Sequence, residues 1–224
     1  MIKRVKLQDR VLPSYCLGEE ITNTVTHILG GIGGILALIL CIRKASVYHG
    51  PIEVVGAAIY GACLIILYSI SSVYHGLKPS MAKKVMQVLD HCAIYFLIAG
   101  SYSIITLSAI RQHNPILGWG MFALEWTLCA IATVLTAIDL KRYQVFSMIC
   151  YIGMGWAIIP FAGTIHQLLG DLGFGLLLWG GIAYTVGAVL YGIGSKVLWM
   201  HSMFHVFVVL GSVLQFFAFY HYGL

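Results

Sequence analysis

The sequence predicts an all-helical integral membrane protein, a bundle of seven transmembrane helices. Of its 224 residues 60% are hydrophobic and only 9% are charged, and the mean hydropathy is +0.91. Water-soluble domains carry charge on roughly a quarter of their residues, so this chain is too apolar to be dissolved in water. Its 25 glycines agree with this class, because small residues let membrane helices approach one another closely.

The predicted elements follow from the lengths of the apolar runs. The segment 1–20 is too polar to span and is predicted to be a short tail. Seven stretches then come close to the roughly 20 residues that cross a bilayer. Their predicted limits are 25–42, 54–75, 87–108, 118–138, 144–165, 173–193 and 201–221. The connecting loops are short, so we expect one domain over 1–224, with sequential helices as antiparallel neighbours.

Basic residues in the loops predict the orientation. Ten fall in the tail and the even-numbered loops: Lys3, Arg4, Lys6, Arg10, Lys78, Lys83, Lys84, Lys141, Arg142 and Lys196. Three fall on the other side: Arg43, Lys44 and Arg111. Because cytoplasmic loops of membrane proteins are enriched in Lys and Arg, we expect the N-terminus in the cytoplasm and the C-terminus outside, in the inner (plasma) membrane.

Charge and cysteine content argue against two other classes. The net charge of +5 would suggest a nucleic-acid partner in a soluble protein, but here the cations fit the role of orienting the helices. The six cysteines form no CxxC motif and lie mostly within apolar runs. They are therefore predicted to be small buried hydrophobic residues and not thiolate metal ligands.

Four polar residues are predicted to meet at one end of the bundle. His201 and His205 are four residues apart, so they share one helix face at the start of the seventh span. His75 ends the second span and Asp90 begins the third, which places all four at cytoplasmic helix ends. Histidine within a membrane span is costly without a partner, so this convergence predicts a functional site.

Three imidazoles with one position left for water are typical of a catalytic zinc site. His75, His201 and His205 would be the ligands, and zinc lowers the pKa of its bound water to about 7. Asp90 would hold that water or accept its proton, and Ser71, one turn before His75, would hydrogen-bond the water, Asp90 or a substrate carbonyl. Two alternatives stay open: a structural zinc with Asp90 as fourth ligand, and iron or another divalent ion instead of zinc.

The remaining polar residues of the spans carry weaker signals. Glu20, Asn23 and His27 precede or open the first span, where they would cap the helix or line access to the metal. Glu125 lies inside the fourth span, either lining a cavity or as a protonated, hydrogen-bonded acid near the interface. Gly30-Gly31-Ile32-Gly33-Gly34 contains a GxxxG spacing, which predicts close helix packing.

Three motifs give the sequence a family resemblance: Glu20-x2-Asn23-x3-His27, Ser71-x3-His75 followed by Asp90, and His201-x3-His205. With them the chain resembles, from Glu19 to its end, the haemolysin III branch of the progestin and adipoQ receptor family. That family is part of a wider group of seven-helix membrane proteins that includes alkaline ceramidases.

The resemblance implies a zinc ion near the cytoplasmic face, held by His75, His201 and His205, with a water held by Asp90 and lipid amide hydrolysis as the activity. The eukaryotic receptors have long extramembrane regions, whereas this chain has about 20 polar residues at one end and almost none at the other. A protein-hormone receptor role is thus disfavoured, and the compact form is similar to the bacterial members.

We therefore expect a zinc-dependent hydrolase acting on a lipid amide or ester bond, with a membrane lipid as substrate and no nucleic-acid partner. Two other functions stay open: a pore-forming, cytolytic protein in which zinc only holds the bundle, and a membrane-homeostasis factor that works without turnover. No predicted span shows the long polar stripe that lines a water-filled pore, which speaks against the first of these.

Overall fold

A computed structural model describes residues 5–194 and 196–224. The described residues form helices and no strands, which confirms the all-helical class. Lys3 and Arg4, which the orientation argument used, lie outside the described residues. The α-helices are α1 Leu17–Tyr48, α2 Pro51–Gly76, α3 Met81–Ile105, α4 Pro115–Ile138, α5 Gln144–Gly155, α6 Ala162–Gly194 and α7 Met200–Ala218.

Helix α3 continues through a π-helical turn at Thr106–Ile110 and a last turn at Arg111–His113, and α7 ends in a second π-helical turn at Phe219–Gly223. Polar caps and prolines set several helix starts. Ser80 and Asn114 accept the backbone N–H of the residue three positions on, which satisfies a donor that the helix leaves free. Pro51 and Pro115 are the first residues of their helices, where a missing N–H costs nothing.

Six helical segments are long and apolar enough to cross a membrane. Five of them contain the predicted spans 25–42, 54–75, 87–108, 118–138 and 201–221. The sixth, Gln144–Gly194, is 51 residues long and contains both remaining predictions. The predicted span 144–165 is interrupted, because α5 ends after 12 residues and a 3-10 turn containing Pro160 follows. The seven-span count and the orientation stay predictions.

The first helix has the reverse of a soluble helix's pattern. Its buried side chains include Glu19, Asn23 and His27, whereas isoleucines and leucines such as Ile32 and Leu36 are exposed. An apolar exposed face with polar and small residues turned inward is the arrangement that lipid surroundings favour.

The glycine prediction is confirmed by the contact between α1 and α2. A Cβ on Gly34 would stand 3.2 Å from Leu64 Cβ, and one on Gly30 would stand 2.6 Å from the Tyr68 ring. Neither place has room for a larger side chain, so these glycines allow the two helices to pack closely. The Tyr68 hydroxyl then reaches across to Ser212 on α7, with 2.7 Å between the oxygens.

The helices pack in sequence, and α1 also contacts α7, which closes the bundle. The start of α1, the end of α2 and the starts of α3 and α7 meet at one end, called the histidine end below. The opposite end joins the start of α2 to the last turn of α3 through an ion pair between Glu53 and Arg111. Lys44, near the end of α1, donates to the carbonyl of Tyr220.

Candidate metal centre

Two ligand candidates come from the first turns of α7. The helix starts after Trp199, whose φ of 67° lies in the left-handed region and turns the chain into the bundle. His201 and His205, one turn apart, are buried, and their Nε2 atoms are 3.2 Å from each other. The HxxxH spacing thus brings two imidazole nitrogens together, as the sequence predicted.

The third candidate, His75, comes from the last turn of α2. Its ring centroid lies 5.3 Å from that of His201 and 4.7 Å from that of His205. One nitrogen from each of the three rings lies within 4.8 Å of the other two. The structure therefore brings together the three histidines that the sequence selected from distant positions.

The cluster fits a zinc ion by its geometry and by its unused donors. Two nitrogens bound tetrahedrally at the usual Zn–N length of about 2.0–2.1 Å stand about 3.3 Å apart, close to the 3.2 Å between His201 and His205. His75 Nε2 is buried and has no hydrogen-bond partner among the described residues. Because buried polar atoms are usually satisfied, an unpartnered nitrogen in such a cluster fits the role of a metal ligand.

Ser71 and Asp90 lie on the wall of a cavity beside the histidines. Ser71 is 1% exposed, and its hydroxyl has no hydrogen-bond partner in the described part of the chain. Asp90 is partly buried in α3 and is not a member of the three-histidine group. This placement suits residues that act on a substrate or a water; their catalytic roles stay predictions.

The cavity has a volume of about 110 Å³ and is lined by residues of α1, α2, α3, α5, α6 and α7. His27, Ser71 and Asp90 line its histidine end. Ser101 lines it 11 residues after Asp90 on α3, which is about 16 Å further along the helix at a rise of about 1.5 Å per residue. Most of its wall is formed by apolar and aromatic side chains. A narrow apolar cavity that begins at a polar cluster can hold a hydrocarbon chain with its polar group at the cluster.

The sequence left the roles of Glu20, Asn23 and His27 open, and the structure places all three against the site histidines. Glu20 Oε2 lies 2.6 Å from His75 Nδ1, and Asn23 Nδ2 lies 3.3 Å from the same nitrogen. The His27 ring is 4.0 Å from the His205 ring, centroid to centroid. Their i, i+3, i+7 spacing, which puts them on one helix face, was the signal for a shared target.

Two neighbours of the site were missed by the sequence analysis. Lys83, in the first turn of α3, donates to Glu20 Oε1 at 2.5 Å. Tyr15, just before α1, stacks on His201 with 4.6 Å between ring centroids. Both lie in segments that looked like polar loop or tail, so their hydropathy carried no signal.

Glu125 is not a member of the three-histidine group. It is fully buried, and both carboxyl oxygens lack a hydrogen-bond partner among the described residues. The expected hydrogen bond is therefore absent from the described part. Glu125 is not among the residues that line the cavity.

Comparison with known proteins points in the same direction as the motifs. A family model described as "Haemolysin-III related" matches residues 15–216. The chain is 38% identical to Hemolysin-3 of Bacillus cereus over 200 residues, covering 89% of this chain and 90% of the relative. It is 33% identical to the Hemolysin-3 homolog of Bacillus subtilis (strain 168), covering 91% and 94%. The human Monocyte to macrophage differentiation factor is 26% identical, covering 91% and 84%.

Proposed function

This chain belongs to the haemolysin III family, and from that premise we propose that it is a zinc-dependent hydrolase of a lipid amide or ester bond. The observation that supports the proposal most is the set of three converging histidine nitrogens beside a mainly apolar cavity. A purely structural cluster would have no use for an adjoining cavity whose wall carries a buried, unpartnered hydroxyl and a carboxylate.

Each residue has a role in the proposed reaction. His75, His201 and His205 hold the ion, which when bound would supply activation of a water and polarisation of a carbonyl. Asp90 would accept the proton that the attacking water releases and pass it to the amine or alcohol that leaves as the amide or ester bond breaks. Ser71 donates a hydrogen bond to the substrate carbonyl, where charge develops. The apolar cavity wall binds the acyl chain and keeps bulk water away from the reacting bond.

We also propose seven crossings, with the histidine end in the cytoplasm. The 51 residues of Gln144–Gly194 are long enough to cross twice, with the interruption after α5 lying in the bilayer against protein. Lys78, Lys83 and Lys84 lie between the end of α2 and the first turn of α3, at the histidine end. The excess of cations at this end supports a cytoplasmic position.

The test is hydrolysis by the purified protein in lipid, with zinc present and a panel of ceramides and phospholipids as substrates. We expect release of fatty acid from at least one of them. Asp90→Asn should retain zinc but lose about 100-fold or more in rate, in the range of general base catalysis. His75→Ala should lose both zinc and activity. If the zinc-loaded wild type releases no fatty acid from any of them, the hydrolase proposal is wrong.

A second function is favoured by the names of two relatives, both called Hemolysin-3. In this alternative the protein permeabilises membranes and the ion only holds the bundle. Dye leakage from liposomes distinguishes permeabilisation from hydrolysis. If the ion has no catalytic role, a folded His205→Ala variant should release dye as the wild type does. Equal leakage with wild type and His205→Ala, without hydrolysis, would favour the pore.

A further inference from the structure

The first helix presents one face to the site, and one of its contacts with the metal ligands is made by Glu20. The Glu20 carboxylate has two oxygens with different partners. Oε2 lies 2.6 Å from His75 Nδ1, and Oε1 lies 2.5 Å from Lys83 Nζ. The Glu20 side chain is 19% exposed, while those of His75 and Lys83 are 0% and 4% exposed. The contact is thus largely shielded from water. In such surroundings a hydrogen bond between charged or polar groups is stronger than in water.

The contact with Glu20 determines which nitrogen of His75 can bind an ion. An ionised carboxylate only accepts hydrogen bonds, so His75 Nδ1 carries the hydrogen that Glu20 receives at 2.6 Å. The Asn23 Nδ2 atom, 3.3 Å from the same nitrogen, then lies in contact with it without donating to it. In a neutral imidazole the free lone pair then lies on Nε2. Nε2 is buried and has no partner among the described residues, as a nitrogen reserved for a ligand would be.

Lys83 holds Glu20 in this position. Its ammonium group also donates to the carbonyl of Leu77, with 2.9 Å between the atoms. Leu77 directly follows α2, two positions after His75. The lysine therefore joins α1, the end of α2 and the start of α3. A cation fixed by two acceptors limits the positions that the Glu20 carboxylate can take.

We infer that Glu20 is a positioning residue for the metal site: it fixes His75 with Nδ1–H toward α1 and Nε2 toward His201 and His205, and Lys83 holds Glu20 in place. This inference rests on the metal site of the proposed function. Carboxylates that accept from the second nitrogen of a histidine ligand fix its tautomer and ring orientation, and their loss typically weakens metal binding 10–100-fold.

The test measures zinc affinity of the purified full-length protein by competition with a chelator at fixed pH. Glu20→Ala should raise the dissociation constant about 10–100-fold, and Glu20→Gln should raise it less because an amide oxygen still accepts from Nδ1. Lys83→Met should also weaken binding, while Lys83→Arg, which keeps a cation, should bind nearly as well as wild type. If Glu20→Ala does not fold, the difference in zinc affinity between Lys83→Met and Lys83→Arg tests the inference instead.

The matched control is Glu53→Ala, which removes another buried carboxylate from an ion pair at the opposite end. It should lower stability and leave the dissociation constant unchanged. Cobalt(II) substituted for zinc gives a second measurement: the visible absorption bands should change in Glu20→Ala, as His75 reorients, and not in Glu53→Ala.

The inference is overturned if Glu20→Ala binds zinc as tightly as wild type, or if Glu53→Ala weakens binding equally. A wild-type protein that binds zinc without hydrolysing any lipid would contradict the proposed function and leave the role of Glu20 standing. If Glu20→Ala left both lipid hydrolysis and zinc binding unchanged, the proposed function would stand and the role of Glu20 would be contradicted.

Discussion

Both ends of the bundle pair a glutamate with a basic residue, but the two clusters differ in which buried polar atoms they leave without a partner. At the opposite end, Glu53 accepts hydrogen bonds from the backbone N–H of Gly50 and from the side chains of Arg111 and Gln112. At the histidine end, Glu20 is equally well paired with His75 and Lys83. Around it, however, several buried atoms have no partner in the described part of the chain: His75 Nε2, both nitrogens of His27, Ser71 Oγ and Asn23 Oδ1.

The difference separates a structural cluster from a ligand site. Glu53 and its donors satisfy one another, so the cluster can hold α2 to α3 without further help. The histidine end keeps donor and acceptor atoms in excess, which costs stability unless something else pairs with them. A bound ion and a substrate would satisfy those atoms, and the following variants test that distinction.

The largest expected effect is the loss of metal binding in His205→Ala. Removing one of three ligands should raise the zinc dissociation constant by more than about 100-fold, because loss of a ligand costs more than loss of an outer partner. His221→Ala is the matched control: it lies beyond α7, at the opposite end, and is exposed. Chelator competition measures both, and equal affinities in the two variants would contradict the metal site.

The second effect belongs to the opposite end. Glu53→Gln should lower the free energy of unfolding by roughly 2–3 kcal/mol, the range for hydrogen bonds to a charged group, because Arg111 keeps its charge without a partner. Reversible unfolding in mixed detergent micelles measures this loss. Zinc affinity should stay within twofold of wild type. A large loss of zinc affinity would show that the two ends are coupled.

The three histidines of the site could be predicted from sequence, because residue spacing within a helix and depth in the membrane are enough to bring them together. His201 and His205 are fixed by one helical turn, and His75 joins them because two apolar runs end at the same depth. The tail was predicted to end near residue 20, yet α1 begins at Leu17. Hydropathy marks where a helix enters lipid and not where its hydrogen bonding begins. Lys83 was therefore read as a loop residue, and Glu20 only as a helix cap or a residue lining access to the metal.

In the fifth predicted span, hydropathy did not reveal an interruption of the helix. Its apolar run continues from 144 to 165, but α5 ends at Gly155. Pro160 lacks the backbone N–H that a continued helix would need, and Gly170, with a φ of 67°, interrupts the helical geometry again. Apolarity alone does not reveal such breaks, because an interrupted and a continuous segment are equally soluble in lipid when the freed backbone groups face protein.

The smallest effect on stability is expected at Asp139, which lies in the loop between α4 and α5. The Asp139 side chain joins the N-terminal segment to the histidine end. Its carboxylate accepts the backbone N–H of Val5 at 2.9 Å and of Arg142 at 3.1 Å. Burial alone would raise the pKa of Asp139, but these N–H groups and the nearby Arg10 outweigh it and hold the pKa below its ordinary value. Asp139→Asn replaces the charged acceptor with a neutral amide that has only one oxygen. It should therefore cost about 1 kcal/mol at neutral pH, the difference between hydrogen bonds to a charged and to a neutral group.

The sign of the pH dependence follows from the lowered pKa of Asp139. Its contribution is complete above the ordinary aspartate pKa of about 4 and is lost as the pH falls through the lower value in the folded protein. The stability difference between wild type and Asp139→Asn, measured by unfolding at several pH values, should thus shrink on acidification. Zinc affinity at neutral pH should not change, because Asp139 attaches the N-terminal segment without contacting a site histidine. A weakened zinc site in Asp139→Asn would instead assign the N-terminal segment, with Tyr15 stacked on His201, a part in holding the metal centre.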